Sequence, residues 1–207
     1  MTGQVSEKVT CDGNPYCLVD TNAGLVFNPR HYGLEPIPIS TACYRGFIGA
    51  YAIRDGQLFV DRLETSCGEP DQKTPWPARK ALPVFNGRSP KYHYAEHPMC
   101  DGLYEDLQLV VRYTGQFLMS RNRDGSHSPR FAGYARAWDY DTSLLVTVVD
   151  GSVTSLCDVS DKIATFGARY LDEGQIGWDQ RQNARRFLKR HFGPGFSIWP
   201  NGGESCN

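Results

Sequence analysis

Between residues 40 and 64, two runs of strand-favouring residues flank the dipeptide Asp55-Gly56. Asp-Gly suits a tight type I′ turn, whose two central residues both need φ > 0. A two-residue loop sets the register. Arg54 faces Gln57, Ile53 faces Leu58, Ala52 faces Phe59, Tyr51 faces Val60 and Ile48 faces Leu63. Apolar residues then meet apolar residues, as a paired ladder requires. Residues 143–149 and 152–158 repeat the pattern around Asp150-Gly151, with Val148 facing Val153, Thr147 facing Thr154 and Leu145 facing Leu156. Residues 107–120 read as a further hairpin around Thr114-Gly115. The Asp-Gly hairpins look alike, but type I′ hairpins resemble one another by necessity, so no internal duplication is inferred. Residues 16–19 and 25–27 are short strand candidates.

The period changes near the C-terminus. Over residues 177–192, Ala184, Phe187, Leu188, His191 and Phe192 share one arc of a 3.6-residue wheel, while Arg185, Arg186, Lys189 and Arg190 occupy the opposite arc. Gly193-Pro194 stops this predicted helix, and its basic last turns suit the negative end of the dipole. Residues 28–38 hold three prolines and read as a loop. Residues 65–99 carry six of the chain's 13 prolines and read as an irregular excursion. Such excursions are uncommon in compact domains and are often functional. Residues 121–129 read as a polar loop.

A chain of 207 residues is long enough to bury roughly 70% of its unfolded surface. Its formal net charge is −1, which argues against bulk electrostatic binding to nucleic acid or to an anionic membrane. No run approaches the length of a membrane-spanning helix. The first ten residues have no apolar core of the kind a signal peptide needs. The seven cysteines are irregularly spaced. Their odd number, without a secretion signal, favours reduced thiols and a cytoplasmic location. Cys43 and Cys157 fall in predicted strands and read as small core residues.

Candidate chemistry begins with Arg45, which interrupts an apolar run. With apolar or small residues on both faces, the strand 43–53 is expected to be central, and a guanidinium there must be paired. Asp101, Glu105, Asp106, Asp139 and Asp141 are the candidate partners. The functional alternative is an anchor for a carboxylate or phosphate, which the arginine fork binds bidentately. A third reading is a surface arginine with its stem laid on the apolar strand.

His93, His97 and Cys100 form a His-x3-His-x2-Cys run beside Glu96 and Asp101. The two histidines share a metal only if the segment is a helical turn, because in a strand they would lie about 13 Å apart. No second Cys/His pair with zinc spacing accompanies them, so they are expected to be polar loop residues without a metal. His31 and His127 have no partner nearby in sequence. Asp101, Glu105 and Asp106 form an acidic cluster suited to acid–base work, although Asp101-Gly102 also reads as the turn that opens the second hairpin. No nucleophile elbow, Walker loop or Gly-x-Gly-x-x-Gly is present. The basic helix face, Arg185, Arg186, Lys189 and Arg190, suits a solvated surface or a phosphate backbone. It has no interleaved aromatics for base stacking.

The runs Cys43-Tyr44-Arg45-Gly46-Phe47, Arg54-Asp55-Gly56-Gln57-Leu58-Phe59-Val60, Asp101-Gly102-Leu103-Tyr104-Glu105-Asp106 and Tyr113-Thr114-Gly115-Gln116-Phe117-Leu118 resemble a group of small uncharacterised bacterial proteins. The likeness spans roughly residues 38–160. It implies a bacterial, soluble, β-rich domain and carries no activity to transfer. Tyr44-Arg45-Gly46 is also similar to the first motif of arginine-type ADP-ribosyltransferases, whose arginine holds NAD phosphate. Those enzymes need in addition a Ser-Thr-Ser strand and a Glu-x-Glu or Gln-x-Glu loop, and this chain has neither.

The sequence therefore predicts a single α+β domain over residues 1–207. An antiparallel sheet or sandwich of three hairpins would carry the amphipathic helix 177–192 on one face or edge. The expected function is a non-catalytic binding or accessory module, with no cofactor, no membrane and a protein or small anionic ligand as partner. One alternative is an enzyme on a small anionic or nucleotide substrate, using Arg45 with Asp101 or Glu105. Another is a nucleic-acid contact through the basic helix.

Overall fold

Among the described residues, four Asx-Gly dipeptides fold the chain back on itself. Asp12-Gly13, Asp55-Gly56, Asn86-Gly87 and Asp150-Gly151 each hold both residues at positive φ, between +46° and +84°, the conformation of type I′ turns. A computed structural model describes residues 4–69, 78–92, 99–122, 137–170, 186–193 and 196, with the backbone alone described at 69, 78, 79 and 166–170.

The Asp12-Gly13 turn joins β1 (Lys8–Cys11) to β2 (Asn14–Thr21), and Asp55-Gly56 joins β3 (Phe47–Arg54) to β4 (Gln57–Thr65). Short strands follow: β5 (Cys67–Glu69), β6 (Ala78–Lys80), β7 (Lys91–Tyr92), β8 (Gly102–Tyr104) and β9 (Leu109–Val110). Then come β10 (Gly115–Arg121), β11 (Thr142–Val149) and β12 (Ser152–Asp158), the last two joined by Asp150-Gly151, and the helix α1 (Ser160–Tyr170).

The protein is mostly β, and its main sheet closes into a seven-strand barrel with extra strands. The expected α+β sheet or sandwich of three hairpins is matched in part: the chain is β-rich and two of the three hairpins form, but the closed barrel was not expected. Around the barrel β12, β11, β10, β2, β1, β3 and β4 follow one another, and Ser152 pairs with Gln57 to close it. Two amide bonds reinforce the seam, Leu58 N donating to Gly151 O at 2.9 Å and Val153 N to Gly56 O at 2.7 Å. All pairs round the barrel are antiparallel except β1 with β3. No turn motif encodes that parallel pair or the β2–β10 pair. Both join segments far apart in sequence.

Alternation along β10 separates two apolar layers. Phe117 and Met119 point into the barrel, where they meet Leu58, Val60, Tyr104 and Val146, all but fully buried. Leu118 points outward, with Val19 of β2, and packs against Ile163 of α1 and against Leu188, Phe192 and Phe196. The barrel is thus filled by side chains, and the helical segments cover part of its outer wall.

Several expectations change. The turn-proximal register of both Asp-Gly hairpins is as read, but each carries a bulge. In the first, Ala50 faces Arg62 and Ile48 faces Glu64 instead of Leu63. In the second, Thr147 faces Ser155 and Leu145 faces Cys157. One extra residue on one strand shifts every later pair. Residues 107–120 are no hairpin. β9 joins β4 and β10 joins β2 and β11, because Val111 N donates to Leu58 O and Gly151 N to Tyr113 O, drawing the segment to the barrel seam. Residues 25–27 form no strand, and Val26 and Phe27 are instead buried in the core. Cys157 is exposed on β12, whose residues from Thr154 onward are exposed.

The predicted loop 28–38 contains a short 3-10 turn, Pro29–Tyr32. The proline-rich excursion 65–99 contains β5, β6 and β7, and its Leu82 and Phe85 enter the core; residues 70–77 and 93–98 lie outside the described residues. Of the predicted helix, residues 186–192 are helical and 177–185 lie outside the described residues. Leu188 and Phe192 are buried, Phe187 is half-buried, and Arg186, Lys189 and Arg190 are exposed. His191 is exposed rather than part of the apolar arc, and stacks on Phe187 with ring centroids 4.6 Å apart. Among the described residues no helix is long and apolar enough to cross a membrane.

Candidate functional site

Arg45 lies in a turn over residues 41–46 that precedes β3, not inside the strand. Gly46, at φ +75°, turns the chain, and a Cβ there would sit 2.5 Å from the Ile37 carbonyl carbon. The guanidinium is half-buried, 5.4 Å from the Phe47 ring centroid, and Nη1 donates to Glu7 Oε2 at 3.1 Å. The pairing is as expected; the partner is not among the five carboxylates named from sequence. Glu7, just ahead of β1, is only 2% exposed. Its other oxygen accepts from Gly49 N at 3.1 Å and from the Tyr51 hydroxyl at 2.9 Å. A Cβ on Gly49 would lie 2.8 Å from Tyr51 Oη and 2.9 Å from Glu7 Oε1. Glycine at 49 therefore makes room for the carboxylate. Burial, and next the charge of Glu7, hold the Tyr51 phenol well above its ordinary value.

Two thiols adjoin this cluster. Cys43 and Cys100 are 5% and 1% exposed, and Cys43 Sγ donates to Phe47 O at 3.3 Å. The neighbouring Cys100 thiol draws Cys43 below the usual thiol range against the opposing effect of burial, with Arg45 adding to the lowering. The same contact and burial drive Cys100 far up.

The acidic cluster disperses. Asp101 opens no hairpin turn; its amide donates to Ser66 Oγ at 2.8 Å, and Gly102 begins β8 opposite Thr65. Glu105 pairs with exposed Lys91, which lowers the carboxyl and raises the amine. Asp106 is exposed, and its carbonyl accepts from Arg88 Nε. His93, His97, His127 and Arg185 lie outside the described residues. Among the described residues no group of three or more His, Cys, Asp or Glu is placed to hold a metal.

A groove of about 250 Å³ opens between residues 23–32 and 111–114. Val26, Phe27 and Val111 form its apolar floor, and Tyr32, Arg112 and His31 stand at its rim, all three exposed. Tyr32 is seated between two rings, Phe27 at 5.1 Å and Phe85 at 6.1 Å. The residues lining the groove include Arg112 and His31 and no carboxylate. A second cleft, of about 530 Å³, is lined by Asp12, Asp55 and Asp61, and its Arg54 is tied to Asp61 at 2.6 Å.

Sequence reasoning missed Glu7, Tyr32 and Arg112. Glu7 precedes a strand too short to show a period. Arg112 carried a weak signal: it is the lone charge between Leu107 and Tyr113 in a run read as strand. Comparison with protein-family models, curated proteins and solved structures finds no match to this chain.

Proposed function

We propose that this chain is a non-catalytic binding module that takes a small anionic ligand with an apolar body into the groove beside Tyr32 and Arg112. The observation that carries the reading is the groove's lining, with two basic groups and no acid above an apolar floor. Small-ligand sites combine apolar walls with a few charged or polar groups that fix orientation. An arginine at the rim matches a carboxylate or phosphate with its planar fork. The packed barrel interior supports the choice of a surface groove over the lumen. The Arg45 alternative loses its motive, because that guanidinium is engaged with Glu7. The basic helix face remains a solvated surface in this reading.

Benzoate, a compact aromatic carboxylate, and benzamide, its neutral counterpart, test the proposal. In amide-resolved NMR titrations, benzoate should shift Gly24, Leu25, Arg112 and Thr114 saturably, and bind at least about tenfold tighter than benzamide, as expected for a charge-assisted contact. Arg112→Ala should remove that preference. Equal binding of the two probes, no shift from either, or an unchanged preference in Arg112→Ala would reject the reading.

A further inference from the structure

We propose that β12 is a docking edge for a second copy of this chain, pairing antiparallel with the same strand across a two-fold axis at Leu156. The barrel seam leaves this edge open. β12 meets β4 at Ser152, which pairs with Gln57, and Val153 N donates to Gly56 O at 2.7 Å. Past that point β9 takes the edge of β4, with Leu109 and Val110 pairing with Val60 and Phe59. β12 runs on over residues 154–158 with β11 on one side. Among the described residues no strand pairs with the other side of this stretch, and residues 154–158 are all exposed. Leu156 lies opposite Val146, which is wholly buried in the barrel, yet is itself 43% exposed. An open edge presents unpaired amides and carbonyls, and lysine, proline or a covering segment commonly guards it. Residues 152–157 hold no lysine, no proline and no charge.

Charge and register select a second copy as the occupant. The one charge on the strand is Asp158, at its end. A two-fold at Leu156 sets Leu156 against Leu156 of the second copy, Ser155 against Cys157, and Asp158 against the uncharged Thr154. The two Asp158 residues then stand at opposite ends of the ladder, about 13 Å apart along the strands. Other centres fit worse. A two-fold at Ser155 would need Ser152 and Val153, which the seam already holds. A two-fold at Cys157 would set Asp158 against Leu156 and would need Val159, whose amide donates to Ser143 O. The Leu156 centre alone uses all of residues 154–158. A formal net charge of −1 leaves little repulsion between copies. The two-fold occupies the β12 edge of both copies, so this contact closes at a dimer. It is a small contact, and the dimer should form and dissolve with concentration.

Sedimentation should show a monomer–dimer equilibrium between about 10 μM and 1 mM, the range expected of a small interface. Cys157 reports the register. It shares a face with Ser155, whose Oγ lies 3.3 Å from its Sγ. In the dimer the two Cys157 residues are diagonal neighbours, about 7–8 Å apart, within the span of bismaleimidoethane. Trypsin places Cys157 alone in peptide 137–162, so that peptide linked to itself requires two copies. Leu156→Lys would oppose two lysines and should weaken the dimer at least about tenfold, with loss of the link. Thr154→Lys would set a lysine against each Asp158 and should strengthen the dimer about threefold or more.

A chain that stays monomeric up to about 1 mM would overturn the proposal and leave the edge to a strand of another protein. A dimer with peptide 137–162 unlinked would overturn it too. So would a dimer that Leu156→Lys leaves intact or that Thr154→Lys weakens. Sedimentation and linking use the unsubstituted chain, so they decide the matter even if a variant fails to fold.

Discussion

Glu7 gathers three donors, Arg45 Nη1, Gly49 N and the Tyr51 hydroxyl, around one buried carboxylate. Replacing it with Ala removes the acceptor of the buried Gly49 amide and Tyr51 hydroxyl and takes a carboxylate from Arg45. Glu7→Ala should therefore destabilise by about 2–4 kcal/mol, the lower part of the range for breaking a buried pair, because Arg45 keeps some access to water. Urea unfolding measures this, and a double-mutant cycle with Arg45→Met should show coupling above about 0.5 kcal/mol, the usual limit for independent sites. The buried tyrosines make a separate prediction. Burial holds Tyr51 well above its ordinary value and pushes Tyr113 up to about 12. Each phenol ionises first in the unfolded chain, near pH 10. Its contribution is complete below that pH and is lost as pH rises through the folded value. Thermal melts should fall steeply between pH 10 and 12, and less steeply in Tyr113→Phe. That variant also lacks the bond to Gln116 O, a loss of about 1 kcal/mol at neutral pH.

Asp-Gly turns were legible at the level of elements because their chemistry is local: two positive φ values at adjacent residues call for Asx and Gly. The bulges at Ala50/Tyr51 and Thr147/Val148 were not, because pairing past the turn answers to neighbouring strands. The helix α1 was also overlooked. Its start had a readable signal: Asp158 Oδ1 accepts from the Ser160 hydroxyl at 2.6 Å and from Ser160 N at 2.9 Å, the second satisfying an amide the helix leaves free, and the hydroxyl first and the amide next lower the carboxyl. Wheel periodicity did find the apolar face of the last helical segment. Leu188 is 2% exposed against Val19 and Leu118 of the barrel wall. Leu188→Ala should cost about 2–4 kcal/mol, the range for emptying a core leucine site. Arg186→Glu with Arg190→Glu should change stability by no more than about 0.5 kcal/mol, since exposed charges contribute little. Chemical denaturation reads both. A large loss from the charge reversal would mean that this face is not solvated.

Closure of the barrel is a property of the whole chain. The seam brings the Asp55-Gly56 and Asp150-Gly151 turns together, and Gly151 is the tightest point described there. Its φ is +84°, and a Cβ would lie 2.5 Å from Val111 O. Gly151→Ala should combine backbone strain with a backbone clash and cost about 2–4 kcal/mol. Gly13, also at positive φ but with open space around it, should lose only about 1–2 kcal/mol on substitution by Ala. Equilibrium unfolding of the two variants separates seam packing from turn strain. By itself the sequence determined what depends on near neighbours: β-richness, the two longer Asp-Gly turns and their first pairs, and the buried stripe around Leu188 and Phe192. It also pointed to a paired Arg45, beside readings as a ligand anchor or a surface arginine, and the Glu7 pair agrees with the first although Arg45 lies in a turn and not in the strand. Tertiary structure alone decided that the strands close into a barrel, that Glu7 rather than a later carboxylate meets Arg45, and that Arg112 and His31 share a groove. These pairings join residues distant in the chain, and their energy comes from desolvated contacts that exist only after β1 docks on β3 and β8 on β4. Local propensity and periodicity carry no record of them.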